Sequence, residues 1–126
     1  HDEVSQRGTE GGADRYNQGK PQWSLLDFPS LEPMVQAMMY GAEKYDRDNW
    51  KKGQDINSLW DCAQRHMVSF LAGNDYDRES RVHHIGHAMA NMMMILYNIR
   101  NHPSLDNRFK GKCATLVKSA DLPHPK

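Results

Sequence analysis

The stretch from Ser80 to Arg100, SRVHHIGHAMANMMMILYNIR, decides how the rest of this chain is read. It runs without proline until Pro103 and is apolar around much of its circumference, with Met92, Met93, Met94, Ile95 and Leu96 in succession. A helix apolar nearly all round belongs at the centre of a bundle. One stripe breaks the pattern. His84, His87 and Asn91 fall at i, i+3 and i+7 on one narrow face, and His83 lies beside His87 at i, i+4. Imidazoles among apolar side chains are costly unless partners satisfy them. Neutral imidazole is a common metal ligand, and two on successive turns can converge on one ion. The plainer explanation is surface histidine, or histidine hydrogen-bonded within a bundle.

Working outward, the preceding loop NDYDRE (74–79) supplies Asp75, Asp77 and Glu79. Carboxylates there suit a hard divalent ion, or simply favour the start of the helix, and Glu79 is carried forward as the ligand. A second helix is expected from Ser58, paired with Asp61 in a capping-box-like way, to Gly73. Its buried stripe is Leu59, Ala63, Met67 and Phe70, with His66 at the edge beside Cys62 and Ser69, placed to face the central helix. Asp61 points away, close to Arg65, and its capping role explains it adequately. A first helix is expected from Leu31 to Tyr45, capped by Ser30, with Pro33 in its first turn. Leu31, Met34, Val35, Met38, Ala42 and Tyr45 form its apolar face. Ahead of it, Trp23, Leu25, Leu26 and Phe28 read as a strap packed over the core.

These elements predict an all-α fold, a small bundle of three to four helices. Residues 1–19 read as a flexible arm, 20–103 as the helical catalytic or binding domain, and 104–126 as a polar-basic tail. No segment alternates as a strand. With 126 residues, 38% hydrophobic and 9% aromatic, the chain supports one domain with a modest core. Three helices make that core thin, so a homo-oligomer is expected. Sixteen basic residues balance sixteen acidic ones, which argues against a nucleic-acid polymer or an anionic membrane as partner. No apolar run approaches the ~20 residues that cross a bilayer, and no apolar stretch near the N-terminus resembles a signal peptide. Cys62 and Cys113 make neither a disulfide framework nor a zinc-ribbon spacing, which suits a reducing, cytoplasmic compartment.

Several of these residues recur in order in a known family. Gly19-Lys20-Pro21 with Trp23 and Leu25-Leu26, then Gly41-Ala42-x-Lys44-Tyr45 and Asn49-Trp50, resemble its N-terminal half. Asp61 with Arg65-His66, Gly73, Asp77-x-Glu79-Ser80 and His84-x-x-His87-x-x-x-Asn91 resemble its second half. The family is the phage-type dATP/dGTP diphosphohydrolase N-terminal domain, and the resemblance covers roughly Arg15 to Tyr97. It implies an all-α fold, a phage or prophage origin, and the cytoplasm of the infected bacterium. It also implies hydrolysis of purine deoxynucleoside triphosphates to monophosphate and pyrophosphate. The related MazG-like pyrophosphohydrolases hold magnesium with Glu-x-x-Glu and Glu-x-x-Asp. Here Glu-x-x-Glu is absent, and Glu43, which stands three residues before Asp46, faces away from the core stripe. Imidazoles therefore take over part of the metal shell.

The expected site follows. His66, His84 and His87, with Glu79 or Asp61, hold a divalent ion, with Mg, Mn, Co and Zn all open. Glu79, His87 and Asn91 serve the reaction, Asn91 by orienting a ligand or the water. Lys20, Lys44 and Arg65 contact phosphates, and Trp23, Tyr45 or Trp50 stacks on the base beside Asn49. The alternative is a phage protein that binds signalling nucleotides without turning them over.

Overall fold

A computed structural model describes residues 7–8, 10–16 and 18–110. Much of the expected arm, and residues 111–126 of the tail with Cys113, lie outside the described residues. Three α-helices dominate what is described: α1, Phe28–Lys44; α2, Ile56–Leu71; and α3, His84–Asn101. α3 packs against both α2 and α1, so it is central, as its composition requires.

The helix starts correct the sequence reading, earlier for the first two helices and later for the third. α1 begins at Phe28 because the Asp27 carboxylate, not Ser30, is the cap, accepting the Ser30 amide. α2 begins at Ile56, where Asp55 accepts the Ser58 amide at 3.0 Å. In both cases an Asp-x-x-Ser sequence places a carboxylate acceptor three residues ahead of the serine amide, displacing the serine as cap. α3 starts later than expected, at His84, with the His83 ring accepting the Ile85 amide. Ser80 is unavailable to it, since the amide and hydroxyl of Ser80 both bond to Asp77. The loop 74–83 is instead a tight turn in which Arg81 takes a positive φ of 65° and Tyr76 pairs with His83.

Alanines make up most of the buried apolar residues, with Ile56, Leu59 and Val82 beside them. On α1 the contact face is rotated from the expected stripe: Val35 and Tyr45 are largely exposed, and Ala37 is buried in their place. Small residues win this face because α1 and α3 approach too closely for large ones. A Cβ built on Gly86 of α3 would stand 2.4 Å from the Pro33 carbonyl oxygen of α1. On α2, Leu59 and Ala63 are buried as expected, joined by Ile56, while Phe70 is 41% exposed. The largest fully buried side chain is an amide, Asn98.

The strap expectation fails. Trp23–Leu25 forms a single 3-10 turn, and Trp23, Leu25 and Phe28 are mostly exposed. Three residues of turn between two prolines give no face that reaches the helices. Farther upstream, β1 (Arg7–Gly8) pairs antiparallel with β2 (Arg15–Tyr16), where no strand was expected. Backbone turns through Gly11 and Gly12, both at positive φ, close this two-residue pair, so no side-chain alternation announces it. After α3, a 3-10 turn at Pro103–Leu105 leads into Asn107, which bonds to Asp55 and to the Asn57 amide. Residues past Pro103 are thereby tied to the start of α2.

Candidate functional site

Two helices bring three imidazoles together. His66 of α2 and His84 of α3 meet with their Nδ1 atoms 2.8 Å apart. The His66 ring also stacks on His87, centroids 4.4 Å apart and planes 11° from parallel. Burial lowers the affinity of His66 for a proton, the neighbouring His87 adds to this, and its pKa falls to about 4. It is therefore neutral near pH 7, with a lone pair to offer.

The loop before α3 aims a carboxylate at the same point. Donor atoms of His66, Asp77 and His84 all lie within 4.8 Å of one another. Burial pushes the Asp77 carboxyl up, but bonds from the Ser80 amide and hydroxyl, with His87 and His66 beside them, outweigh it and leave the pKa lowered. Asp77 is thus charged. The donor set, two imidazoles and one carboxylate, is of a kind that suits a divalent ion, and the two facing ring nitrogens are joined here by a hydrogen bond.

His87 is engaged differently. The Ser80 hydroxyl donates to Asp77 at 2.8 Å and accepts the Val82 amide at 3.2 Å. Its one proton is used, so the 2.6 Å contact with His87 Nε2 makes that nitrogen the donor. The tautomer is then fixed, with Nδ1 of His87 left as the acceptor. Burial lowers the pKa of His87 as well, against an opposing pull from Asp77.

These groups open onto a cleft of about 720 Å³ bounded by α1, α2, α3 and the loop that joins the first two helices. On its α1 wall Lys44 Nζ bonds Glu79 Oε1 at 3.2 Å. Hydrogen bonding with Tyr40, then with Lys44, holds the Glu79 carboxyl below its ordinary value. A narrower chamber of about 160 Å³, lined by Met38, Trp50, Ala90 and Met94 among others, shares Asn91 and His87 with the cleft. The edge of Trp50 meets Tyr97, centroids 4.7 Å apart.

Of the residues singled out from sequence, His66, His87, Asn91, Lys44 and Glu79 line the cleft, with His84 bonded to His66. Asn49 and Trp50 line the chamber. Asp61 and Arg65 line a separate shallow groove on the far face of α2 with Val68 and Ser69. Lys20 and Trp23 are exposed on the segment before α1 and line neither cleft nor chamber. Lys44 is exposed and pairs with Glu79 on the cleft wall. Sequence reasoning passed over Ser80 and Tyr40, and preferred Glu79 to Asp77. The Asp77-x-x-Ser80 spacing carried the missing signal: it is a turn that points its carboxylate inward.

In class, then, this is an all-α protein with a cleft, carrying histidines and carboxylates among apolar side chains, between its central helix and two flanking ones. The chain belongs to the dATP/dGTP diphosphohydrolase N-terminal family, whose model matches residues 10–108. A dATP/dGTP diphosphohydrolase of Salmonella phage PMBT28 is 35% identical to it over 94 residues, 75% of this chain and 32% of the relative. The chain therefore spans about a third of the length of that relative. No solved structure matches it. Among the described residues no helix is long and apolar enough to cross a membrane.

Proposed function

We propose that the chain is a metal-dependent nucleotide pyrophosphohydrolase that converts purine deoxynucleoside triphosphates to monophosphate and pyrophosphate. One observation carries this reading: the donor atoms of His66, Asp77 and His84 converge within 4.8 Å beside a cleft large enough for a nucleotide. The similarity to a phage dATP/dGTP diphosphohydrolase supports the substrate class. His66, Asp77 and His84 would hold the ion, and their nitrogen-rich set favours Mn, Co or Zn over Mg. When bound, the ion supplies positive charge against the triphosphate and acidifies nearby water.

The remaining work falls to the chain itself. Lys44 leaves Glu79 for the phosphates, an exchange that costs little because an exposed ion pair is weak. His87 takes a proton from water through Nδ1, while Ser80 and Asp77 hold its other nitrogen. The water oxygen bonds to the α-phosphorus, the α–β bridging bond breaks, and pyrophosphate leaves with the electron pair. Trp50 and Asn49 line the chamber that takes the base. The protein would act in the cytoplasm of a phage-infected bacterium as a homo-oligomer, in which Asp61 and Arg65 serve a neighbouring copy.

The test is a nucleotide panel incubated with Mg, Mn, Co or Zn, with products resolved by chromatography. Monophosphate plus pyrophosphate is expected, reduced on the order of 100-fold or more in His87→Ala. Full recovery of every nucleotide under all four metals would overturn the hydrolase and favour a binding protein, a reading that the missing Glu-x-x-Glu motif also supports.

A further inference from the structure

Two asparagines sit two turns apart on α3, Asn91 and Asn98, exposed by only 6% and 0%. Their hydrogen bonds differ. Asn98 is complete: Oδ1 accepts the Gln54 amide at 2.9 Å, and Nδ2 donates to the Met94 carbonyl at 2.8 Å. Asn91 is half complete. Its Nδ2 donates to the His87 carbonyl at 2.9 Å and reaches Cys62 Sγ at 3.4 Å. Among the described residues no donor reaches its Oδ1. Turning the amide over would not help, since it would set Oδ1 against the His87 carbonyl, two acceptors face to face. A buried amide oxygen without a donor is costly, and such atoms are rare in folded proteins. This one belongs to a residue that lines both the cleft and the chamber.

We propose that Asn91 Oδ1 reads the exocyclic amine of a purine seated in the chamber, so that the site selects adenine or guanine over purines lacking that amine. The inference rests on the nucleotide reading of the site. The chamber suits one flat ring system: Trp50, Met38, Ala90 and Met94 present apolar surface, and among its polar lining residues, which include Asp46, Asn49 and His87, Asn91 is the buried one. Because Nδ2 is committed to α3, the two-bond pairing of a carboxamide with adenine is closed. Only acceptance remains, so the ligand must donate. The spacing agrees as well. Asn91 lies seven residues along α3 from His84, roughly 10 Å of helix rise, which is comparable to the reach of a nucleoside monophosphate from phosphate to base edge.

The test uses monophosphates, which cannot release pyrophosphate, so binding is measured without turnover. Calorimetry on the full chain compares dAMP with the deoxynucleotide of unsubstituted purine, and dGMP with dIMP. Removing the amine is expected to weaken at least one pair about tenfold. The gap should close in Asn91→Leu and persist in Asn91→Asp, which keeps an acceptor. Asn91→Ala, which also lacks an acceptor, repeats the comparison if leucine disturbs the packing against α2. Equal affinities within both pairs, no measurable binding of dAMP and dGMP, or a gap that survives Asn91→Leu would each overturn the inference. Turnover of triphosphates with no gap would leave the hydrolase standing and remove this reading. A gap without turnover would do the reverse.

Discussion

The site's chemistry depends on which atom of each side chain is already engaged. His87 entered the sequence reading as a metal ligand on the strength of its i, i+3 relation to His84. In the folded chain its Nε2 is used by Ser80, and the carboxylate beside the imidazoles is Asp77 rather than Glu79. The helical period placed the histidines on one face, but it says nothing about loop carboxylates, whose direction depends on turn geometry. That is why Asp77 and Ser80 were hard to see while His66 and His84 were not. Asp77→Asn is expected to weaken metal binding about 10–100-fold, read by titration with Mn or Zn. Unchanged affinity would remove Asp77 from the ligand set. Ser80→Ala should lower turnover more than metal affinity, since it frees the His87 ring and removes one bond to Asp77 while the backbone amide at that position still holds the carboxylate. Equal loss of metal in Ser80→Ala would show that the two roles are not separable.

Among the elements, helix identity was legible and helix phase was not. All three helices announce themselves by period, yet the face that α1 buries is set by a contact invisible in its own sequence, Gly86 of α3 against the Pro33 carbonyl. Replacing a helical glycine by alanine normally gains up to about 1 kcal/mol. Here the new Cβ would meet backbone at 2.4 Å, and backbone cannot turn aside. Gly86→Ala is therefore expected to destabilise by about 1–3 kcal/mol or more, measured by denaturant unfolding. A stabilised variant would mean that α1 and α3 are farther apart than described. The caps give a second check. Hydrogen bonds from Ser58 hold the Asp55 carboxyl below its ordinary value of 3.8. A depressed folded value means the cap's contribution is present above pH 3.8 and fades as pH falls through the lowered value. The difference in Tm between wild type and Asp55→Ala should be steady near neutral pH and shrink on acidification below that range. A difference that grows in acid would reverse the assignment.

For the whole molecule, a core of four alanines with Ile56, Leu59 and Val82 is small for the apolar surface the chain carries. Leu96 and Ile99 of α3 and Trp60 of α2 are 70%, 42% and 48% exposed, and Met89, Met92 and Met93 beside them are only half-buried. The proposed homo-oligomer would cover this face. Light scattering at micromolar concentration is expected to give a multiple of the chain mass, and Leu96→Lys to reduce it. A wild type of single-chain mass would end that proposal. The thinness of three helices was readable from sequence; which face stays open was not, because it depends on where α1 and α2 settle around α3. The bond from the Gln54 amide to Asn98 has a further consequence. Gln54 belongs to a loop, yet its amide hydrogen is held by a side chain with no solvent exposure. In heavy water it should exchange far more slowly than the other amides of that loop, at a rate set by the opening of α3 itself. The loop that walls the cleft would then loosen only when the central helix does, and the two would behave as one cooperative unit.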